Sequence, residues 1–446
     1  MPTALLPELA ALDVASAGVR IPPGVTVPLT PRVRELLDAA EVRRLGRVSQ
    51  LGLVSLVYPG AVHTRLEHSL GVYRLALEFL GRLSRDERFA ATVGQTDAAA
   101  FVAAALLHDV GHWPFCHPIE DMGLPEIPRH ESLVRGILAA GDTGTILDAA
   151  WGLDPARVAS LIEGSATDPA GRILVSLLSG PVDVDKMDYL ARDSLHAGVP
   201  YGRNFDQDRL LASLCLDEAG TALAITDKGR TAAELLVFAR YVMFSEVYWH
   251  HAVRAATAML QRAVWILRDR LDVPKLMRAD EAAWTALLTA AAAGTPAEPL
   301  VAGLFGSSRR LFKRVATWDI AHSPALHRTL AGRPYVDMVE VSTRLADRLS
   351  ARSGRRVAAH ALLVDAPPAE KEVEFRLQVR DRPERRGESS RPTWRRLEDL
   401  SPVVRSLAHE QFDELVKRVR VFASPDVAEA VAACDDLENL MQEAAG

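Results

Sequence analysis

The chain has 446 residues, of which 48% are hydrophobic and 25% charged, with a formal net charge of −6. That length can bury a large core and leaves room for an appended domain, while the charge balance gives no global field for nucleic acid or a membrane surface. Cys116, Cys215 and Cys434 are too few and too scattered for a disulfide framework or a cysteine-rich zinc cluster, which fits a reducing cytoplasm.

Residues 1–17 hold no Lys or Arg and are interrupted by Pro7, Glu8 and Asp13, unlike a secretory signal. Residues 1–30 read as an N-terminal extension. Beyond them apolar residues recur at helical spacing, and the pattern predicts helices over 31–45, 68–83, 97–107, 130–140, 155–163, 171–178, 232–243 and about 248–271. The longest unbroken apolar run, 98–107, is about half of the roughly 20 residues that cross a bilayer, so it reads as a buried core helix. Strand-like segments over 358–364 and 372–379 flank Ala366-Pro367-Pro368 and suggest a hairpin. Between residues 376 and 396 stand eight arginines and three acids, interrupted by Pro383, Gly387 and Pro392, which reads as a mobile basic loop. A helical pattern resumes over 401–416, and 419–422 reads as one more strand. The expected architecture is mainly α, with a multi-helical domain over 31–329 and a small α+β region over 330–446.

Six of the thirteen histidines, His63, His68, His108, His112, His117 and His130, lie between residues 63 and 130, where even spreading gives about two. Such a local excess points to metal or acid-base chemistry. At its centre the apolar helix ends in His108-Asp109-Val110-Gly111-His112. Desolvating a carboxylate at the end of a buried helix is costly without a counter-ion, and a metal ion supplies one. Arg65 and His68 are three apart and share a helical face, and Asp185, Tyr189 and Asp193 form an i, i+4, i+8 row. His68, His108, Asp109 and Asp185 together offer two imidazoles and two carboxylates. That donor set suits iron, manganese, nickel or cobalt, suits calcium less, and needs no cysteine.

The ordered set His68, His108-Asp109 and Asp185 resembles the H…HD…D signature of HD-domain phosphohydrolases. Gln50-Leu51-Gly52, Tyr58-Pro59-Gly60-Ala61, residues 65–72, residues 108–117, His130-Glu131-Ser132 and residues 183–189 are more narrowly similar to deoxynucleoside triphosphate triphosphohydrolases, the branch that includes the SAM and HD domain-containing enzyme. The similarity covers residues 30 to 270 and is weaker beyond.

The resemblance implies that His68, His108, Asp109 and Asp185 hold a divalent transition metal, with magnesium as a second ion. It implies hydrolysis of a dNTP between O5′ and the α-phosphorus, releasing deoxynucleoside and triphosphate. Arg65 and Lys186 then contact phosphates. His112, His117 and His130 take catalytic and phosphate-contacting places, with His117 as the acid and Glu120, where relatives usually carry aspartate, beside it. Gln50 and Leu51 match residues that read the sugar and crowd out a 2′-hydroxyl, and Tyr189 and Asp193 match others on the sugar. His251 matches a family histidine, whereas Ala255 and Ala256 stand where tyrosine and glutamine often meet the base, and Trp113 stands where glycine is common. Members of this branch are commonly homo-oligomers. An HD phosphohydrolase acting on nucleoside monophosphates, cyclic nucleotides or another phosphoester stays open, as does a non-catalytic module that senses nucleotides or binds nucleic acid, although the net charge does not indicate nucleic acid. No membrane partner is expected.

Overall fold

The computed structural model describes residues 6–13, 18–367, 376–381, 392–408 and 416–446. Within the N-terminal stretch, β1 (Gly18–Ile21) and β2 (Val25–Pro28) form an antiparallel hairpin that the sequence reading passed over, because four-residue strands give too short a window for alternation.

The main body is helical. Its functional elements are α1 (Arg65–Leu83), α2 (Gln95–Leu107), α3 (Cys116–Glu120), α4 (His130–Ala140), α5 (Val184–Ala197), α6 (Arg230–Met243) and α7 (His251–Leu267). The apolar run proves to be a core helix, since every residue of α2 from Ala98 to Leu107 is buried. No helix among the described residues is long and apolar enough to cross a membrane.

Two expected helices are interrupted. The stretch 31–45 divides into Pro31–Asp38 and Ala40–Leu45, because Ala39 is extended with ψ 142°. The expected helix over 248–271 starts only at His251. A π-helical turn over Phe244–Tyr248 closes α6, Trp249 and His250 leave the helical conformation, and the His250 side chain accepts the Ala252 N–H at 3.3 Å to open α7. Single-turn π segments are frequent at functional sites, and this one decides which residues reach the cleft.

The strands pair across long sequence distances. β5 (Lys313–Trp318), β9 (Val419–Ala423) and β6 (Leu362–Asp365) form an antiparallel sheet in the order β5-β9-β6. The helix α8 (Tyr335–Ser353) covers it through Val341, Leu345 and Leu349. β3 (Leu214–Leu216), β4 (Leu223–Thr226), β7 (Gln378–Arg380) and β8 (Trp394–Arg396) form a second sheet in that order, with β7 parallel to β4. Among the described residues the two segments expected to form a hairpin do not pair with each other: β6 pairs with β9, and β7 with β4 and β8. All four residues of β6 are buried, so its partner had to be an interior strand, β9, whereas β7 places Val379 and neighbouring Leu377 in the main helical core. Residues 368–375 lie outside the described residues, as do 382–391 of the basic stretch and 409–415 of the expected helix over 401–416, which is helical over Pro402–Ser406. The molecule is mainly α with a small α+β C-terminal region, whose sheets draw strands from both sides of residue 330.

Candidate metal centre and active-site cleft

Three helix ends build the centre. Thr64 caps α1 by accepting the Glu67 N–H at 3.3 Å, a Thr-x-x-Glu start that fixes His68 in the first turn, only 1% exposed. His108 ends α2, and its Nδ1 donates to the Ala105 carbonyl at 2.9 Å. Asp183 caps α5 by accepting the Lys186 N–H at 2.6 Å, which sets Asp185 and Asp188 in the opening turns, against His68.

The four expected ligands converge. His68 Nε2 lies 3.2 Å from His108 Nε2 and 3.0 Å from Asp185 Oδ1, and His108 Nε2 lies 3.4 Å from Asp109 Oδ1. A carbonyl can only accept, so His108 carries its proton on Nδ1. His68 Nδ1 likewise faces the Asp188 carboxylate at 2.9 Å. In their neutral forms the two Nε2 atoms therefore point lone pairs at each other in the company of two carboxylates. A metal ion would relieve that arrangement, and the residues fit one of the mixed N/O class. Without one a proton takes its place: burial opposes the charge on His68, but Asp185 and Asp188 outweigh it and push the imidazole up to about 10. Burial likewise opposes the charge on Asp109, yet His112, Arg65, His108 and His68 hold its carboxyl well below the usual range.

Asp188 and Arg192 form a support that the sequence reading missed. Arg192 donates to both Asp188 oxygens at 2.8 Å and to Glu67 at 2.7 Å, and Gly71 of α1 approaches so closely that a Cβ there would sit 1.9 Å from Asp188 Oδ1. The legible signal was the i, i+4 spacing of Asp188 and Arg192 on the helix that carries Asp185. Outer partners of metal-binding histidines fix ring orientation, so Asp188→Asn is expected to weaken metal binding roughly 10- to 100-fold. Competition with a chromogenic chelator measures this, and unchanged affinity in a folded variant would remove Asp188 from that role.

On one side of the donors lies a cluster of imidazoles. The His112 ring centroid is 3.7 Å from that of His130 and 5.1 Å from that of His117. Glu120 bonds His130, taking its backbone N–H at 2.7 Å and its Nδ1 at 3.0 Å, and stays 3.8 Å from His117 Nδ1. The carboxylate expected beside His117 thus orients His130 instead, the extra methylene carrying it to the start of α4. Arg65 donates to Asp109 Oδ2 at 3.0 Å and is 5% exposed. Burial and the Arg65 charge hold His112 well below the ordinary histidine value. His117 is the open member, with 57% of its side chain exposed; crowding and the Arg65 charge lower it too.

Expected sugar residues meet around Asp193, two turns along α5 from Asp185. Asp193 accepts from His63 at 2.8 Å and from the Tyr248 hydroxyl at 2.6 Å. The Gln50 N–H bonds the His63 carbonyl at 2.9 Å, and its buried Oε1 has no hydrogen-bond partner among the described residues. Leu51 packs partly buried beside it. Lys186 Nζ donates to Asp183 at 2.7 Å, and burial raises the neighbouring Tyr189 hydroxyl against the charges of Arg240 and Lys186.

His251 does not join them. It lines a separate groove with Val57, Arg310, Lys313 and Arg314. Ala255 and Ala256 are buried in an apolar cluster with Trp284 and Leu300, so they face no base. The break at Trp249 and His250 turns these positions away and delivers Tyr248, a residue left unassigned from the sequence.

Residues 65–174 match the HD domain, and residues 205–442, more than half of the chain, match the HD associated region. An uncharacterized protein of Methanocaldococcus jannaschii is 35% identical over 258 residues, 57% of this chain and 51% of that protein. The deoxynucleoside triphosphate triphosphohydrolase SAMHD1 of Gallus gallus is 28% identical over 53% of this chain and 43% of its own. The chain spans about half the length of the curated relatives it matches. Among solved structures, a hypothetical protein from Aquifex aeolicus superposes with a TM-score of 0.68 at 26% identity, covering 91% of this chain and 95% of that one. A phosphohydrolase from Bacteroides thetaiotaomicron shares the fold, with a TM-score of 0.68 at 20% identity over 92% of this chain and 100% of that one. With the associated region matched over more than half of its length and the His-Asp doublet set among converging donors, the chain belongs to the HD phosphohydrolase superfamily.

Proposed function

We propose that the protein is a metal-dependent phosphohydrolase that splits a deoxynucleoside triphosphate into deoxynucleoside and triphosphate. The observation that carries this reading is that three chemistries are joined through neighbouring side chains: a donor set able to hold a cation, a cluster of imidazoles reached from Asp109 through His112, and a buried polar group of His63, Asp193 and Tyr248 two turns along α5 from Asp185, with Gln50 bonded to the His63 backbone. A divalent transition metal held by His68, His108, Asp109 and Asp185 supplies Lewis acidity toward a phosphoryl oxygen and eases deprotonation of water.

The chain's own residues do the rest. Arg65 and Lys186 offer a guanidinium and an ammonium to phosphate oxygens, each first released from its carboxylate partner. Burial and the Arg65 charge disfavour the charged form of His117 in the free protein, whereas a polyanionic triphosphate beside it favours that form. It thereby arrives protonated with the substrate and passes that proton to O5′ as a water oxygen bonds the α-phosphorus, the P–O5′ bond breaks and the water's proton leaves to solvent. His130, fixed by Glu120, and His112 flank it. Gln50 Oε1 accepts from the sugar 3′-hydroxyl, a bond that satisfies its buried lone pair, and Leu51 excludes a 2′-hydroxyl. The SAMHD1 relatives named as triphosphohydrolases support the substrate class, and the resemblance to a commonly oligomeric branch supports a homo-oligomer.

The test is product identity. Full-length protein with Mn2+, Fe2+, Co2+ or Mg2+ is incubated with each dNTP, their mixture, the NTPs, nucleoside monophosphates and cyclic nucleotides. Deoxynucleoside plus intact triphosphate is the expected outcome. Turnover confined to monophosphates or cyclic nucleotides would replace the dNTP with another phosphoester.

A further inference from the structure

One residue of the imidazole cluster has no task in hydrolysis. Ligand atoms of His112, Cys116, His117 and His130 all lie within 4.8 Å of one another. Cys116 is 1% exposed and His112 6%. The left-handed turn at Phe115, φ 59°, opens α3 so that a thiol and an imidazole adjacent in sequence serve one cluster. His130 Nδ1 donates a hydrogen bond to the Glu120 carboxylate, so in the neutral ring Nε2 is the lone-pair nitrogen. His112 Nδ1 is buried 3.1 Å from Asp109 Oδ1, yet off the geometry of a hydrogen bond, so it stands without a hydrogen-bond partner among the described residues.

We propose that His112, Cys116, His117 and His130 form a second, thiophilic cation site that takes Zn2+ or Cd2+ as a three-imidazole, one-thiolate ion, and that its occupancy arrests hydrolysis at the neighbouring centre. The two donor sets differ in softness. The His-Asp set suits harder ions, whereas a thiolate with imidazoles selects a borderline-soft one. Tetrahedral zinc, with bonds of about 2.0–2.3 Å, sets its ligand atoms roughly 3.3–3.8 Å apart, so the cluster closes with side-chain adjustments on the order of an ångström. In the metal-free protein burial pushes the Cys116 thiol up to about 12, so it is inert by itself. On binding, the metal–sulfur bond forms and the thiol proton passes to solvent. Asp109, a member of the His-Asp set whose Oδ1 also lies 3.1 Å from His112, already offsets Arg65, which keeps that guanidinium from barring a second cation. Arrest follows because the ion occupies the imidazoles that hydrolysis needs, His117 above all; this half rests on the hydrolytic reading, whereas the binding site stands on its own geometry.

The full-length protein is first loaded with Mn2+ at the His-Asp centre and then titrated with Cd2+, following the ultraviolet charge-transfer band of a cadmium–thiolate bond. One saturating increment per chain is expected, lost in Cys116→Ser and kept in Cys215→Ser and Cys434→Ser. Retained Mn2+ and an unchanged melting temperature in Cys116→Ser establish that it is folded. No band in the wild type, or a band that survives Cys116→Ser, overturns the site. With dNTP as substrate, Cys116→Ser is expected to turn over normally and to need at least roughly 10- to 100-fold more Zn2+ for the same inhibition. Equal sensitivity of the two proteins overturns the arrest. If no phosphoester is hydrolysed, the hydrolytic reading fails and the cadmium band still decides the site.

Discussion

Asp109→Ala is expected to reduce bound metal to background and turnover on the order of 10³-fold or more, the scale set by losing several kcal/mol of Lewis-acid stabilisation. No other carboxylate in the cleft has so many neighbours. One oxygen faces His108 and His112 at 3.4 and 3.1 Å, and the other accepts from Arg65 at 3.0 Å. Removing it deletes a ligand, frees Arg65 to swing from its place and leaves that buried guanidinium uncompensated. Elemental analysis of the purified variant comes before any assay, because the loss of metal is the cause and the loss of rate the consequence. Full metal content together with wild-type turnover would sink the assignment. The pH dependence has a definite sign. Metal-free His68 keeps its proton up to about 10, so uptake near neutral pH must expel it. Metal affinity is therefore expected to rise as pH rises toward that value and to fall on acidification, readable by chelator competition at a series of pH values. A flat profile would mean that His68 is not a ligand.

The four expected ligands were singled out from local features: His108 and Asp109 end an unbroken apolar run, while His68 and Asp185 entered through helical spacing and the H…HD…D resemblance. What the sequence hid depends on where helices stop. The helical pattern over 248–271 gave no sign of a break before His251, nor of which residue would meet Asp193. The π turn at Phe244–Tyr248 and the extended His250 instead bring Tyr248 to Asp193 and bury both alanines. No periodicity of apolar residues reports a one-residue change of winding. The resemblance set Glu120 beside His117, and only the three-dimensional approach of α4 shows that its carboxylate bonds His130 and stays 3.8 Å from His117. The strand partners were equally out of reach. β6 and β7 were each found in part from their β-branched residues, but pairing with β9 and β4 spans tens to hundreds of residues, and nothing local encodes it.

A second substitution tests how the C-terminal sheet supports the cleft. Asp365, at the end of β6, takes Arg254 of α7 through Nε at 3.1 Å and Nη2 at 2.5 Å, with side-chain exposures of 2% and 9%. Arg420 of β9 stands 3.8 Å away, and burial together with Arg254 lowers it to about 10, a sign of crowded positive charge. Asp365→Ala strands two buried guanidinium groups and is expected to cost about 3–5 kcal/mol of stability, measured by urea denaturation. The double variant Arg254→Met, Asp365→Leu is expected to recover most of that loss, since an apolar pair of similar volume often replaces a buried ion pair at little cost. A single-variant cost below about 1 kcal/mol, the range of an exposed pair, would show that Asp365 compensates neither arginine. The effect should reach the site as well. Arg254 stacks 4.3 Å from the Trp249 ring and Arg420 donates to the Trp249 carbonyl at 3.1 Å, so the same charges hold the residue next to Tyr248. Loss of Asp365 therefore loosens the Tyr248–Asp193 bond from behind, and a rise in KM with metal content unchanged separates that route from damage to the metal centre.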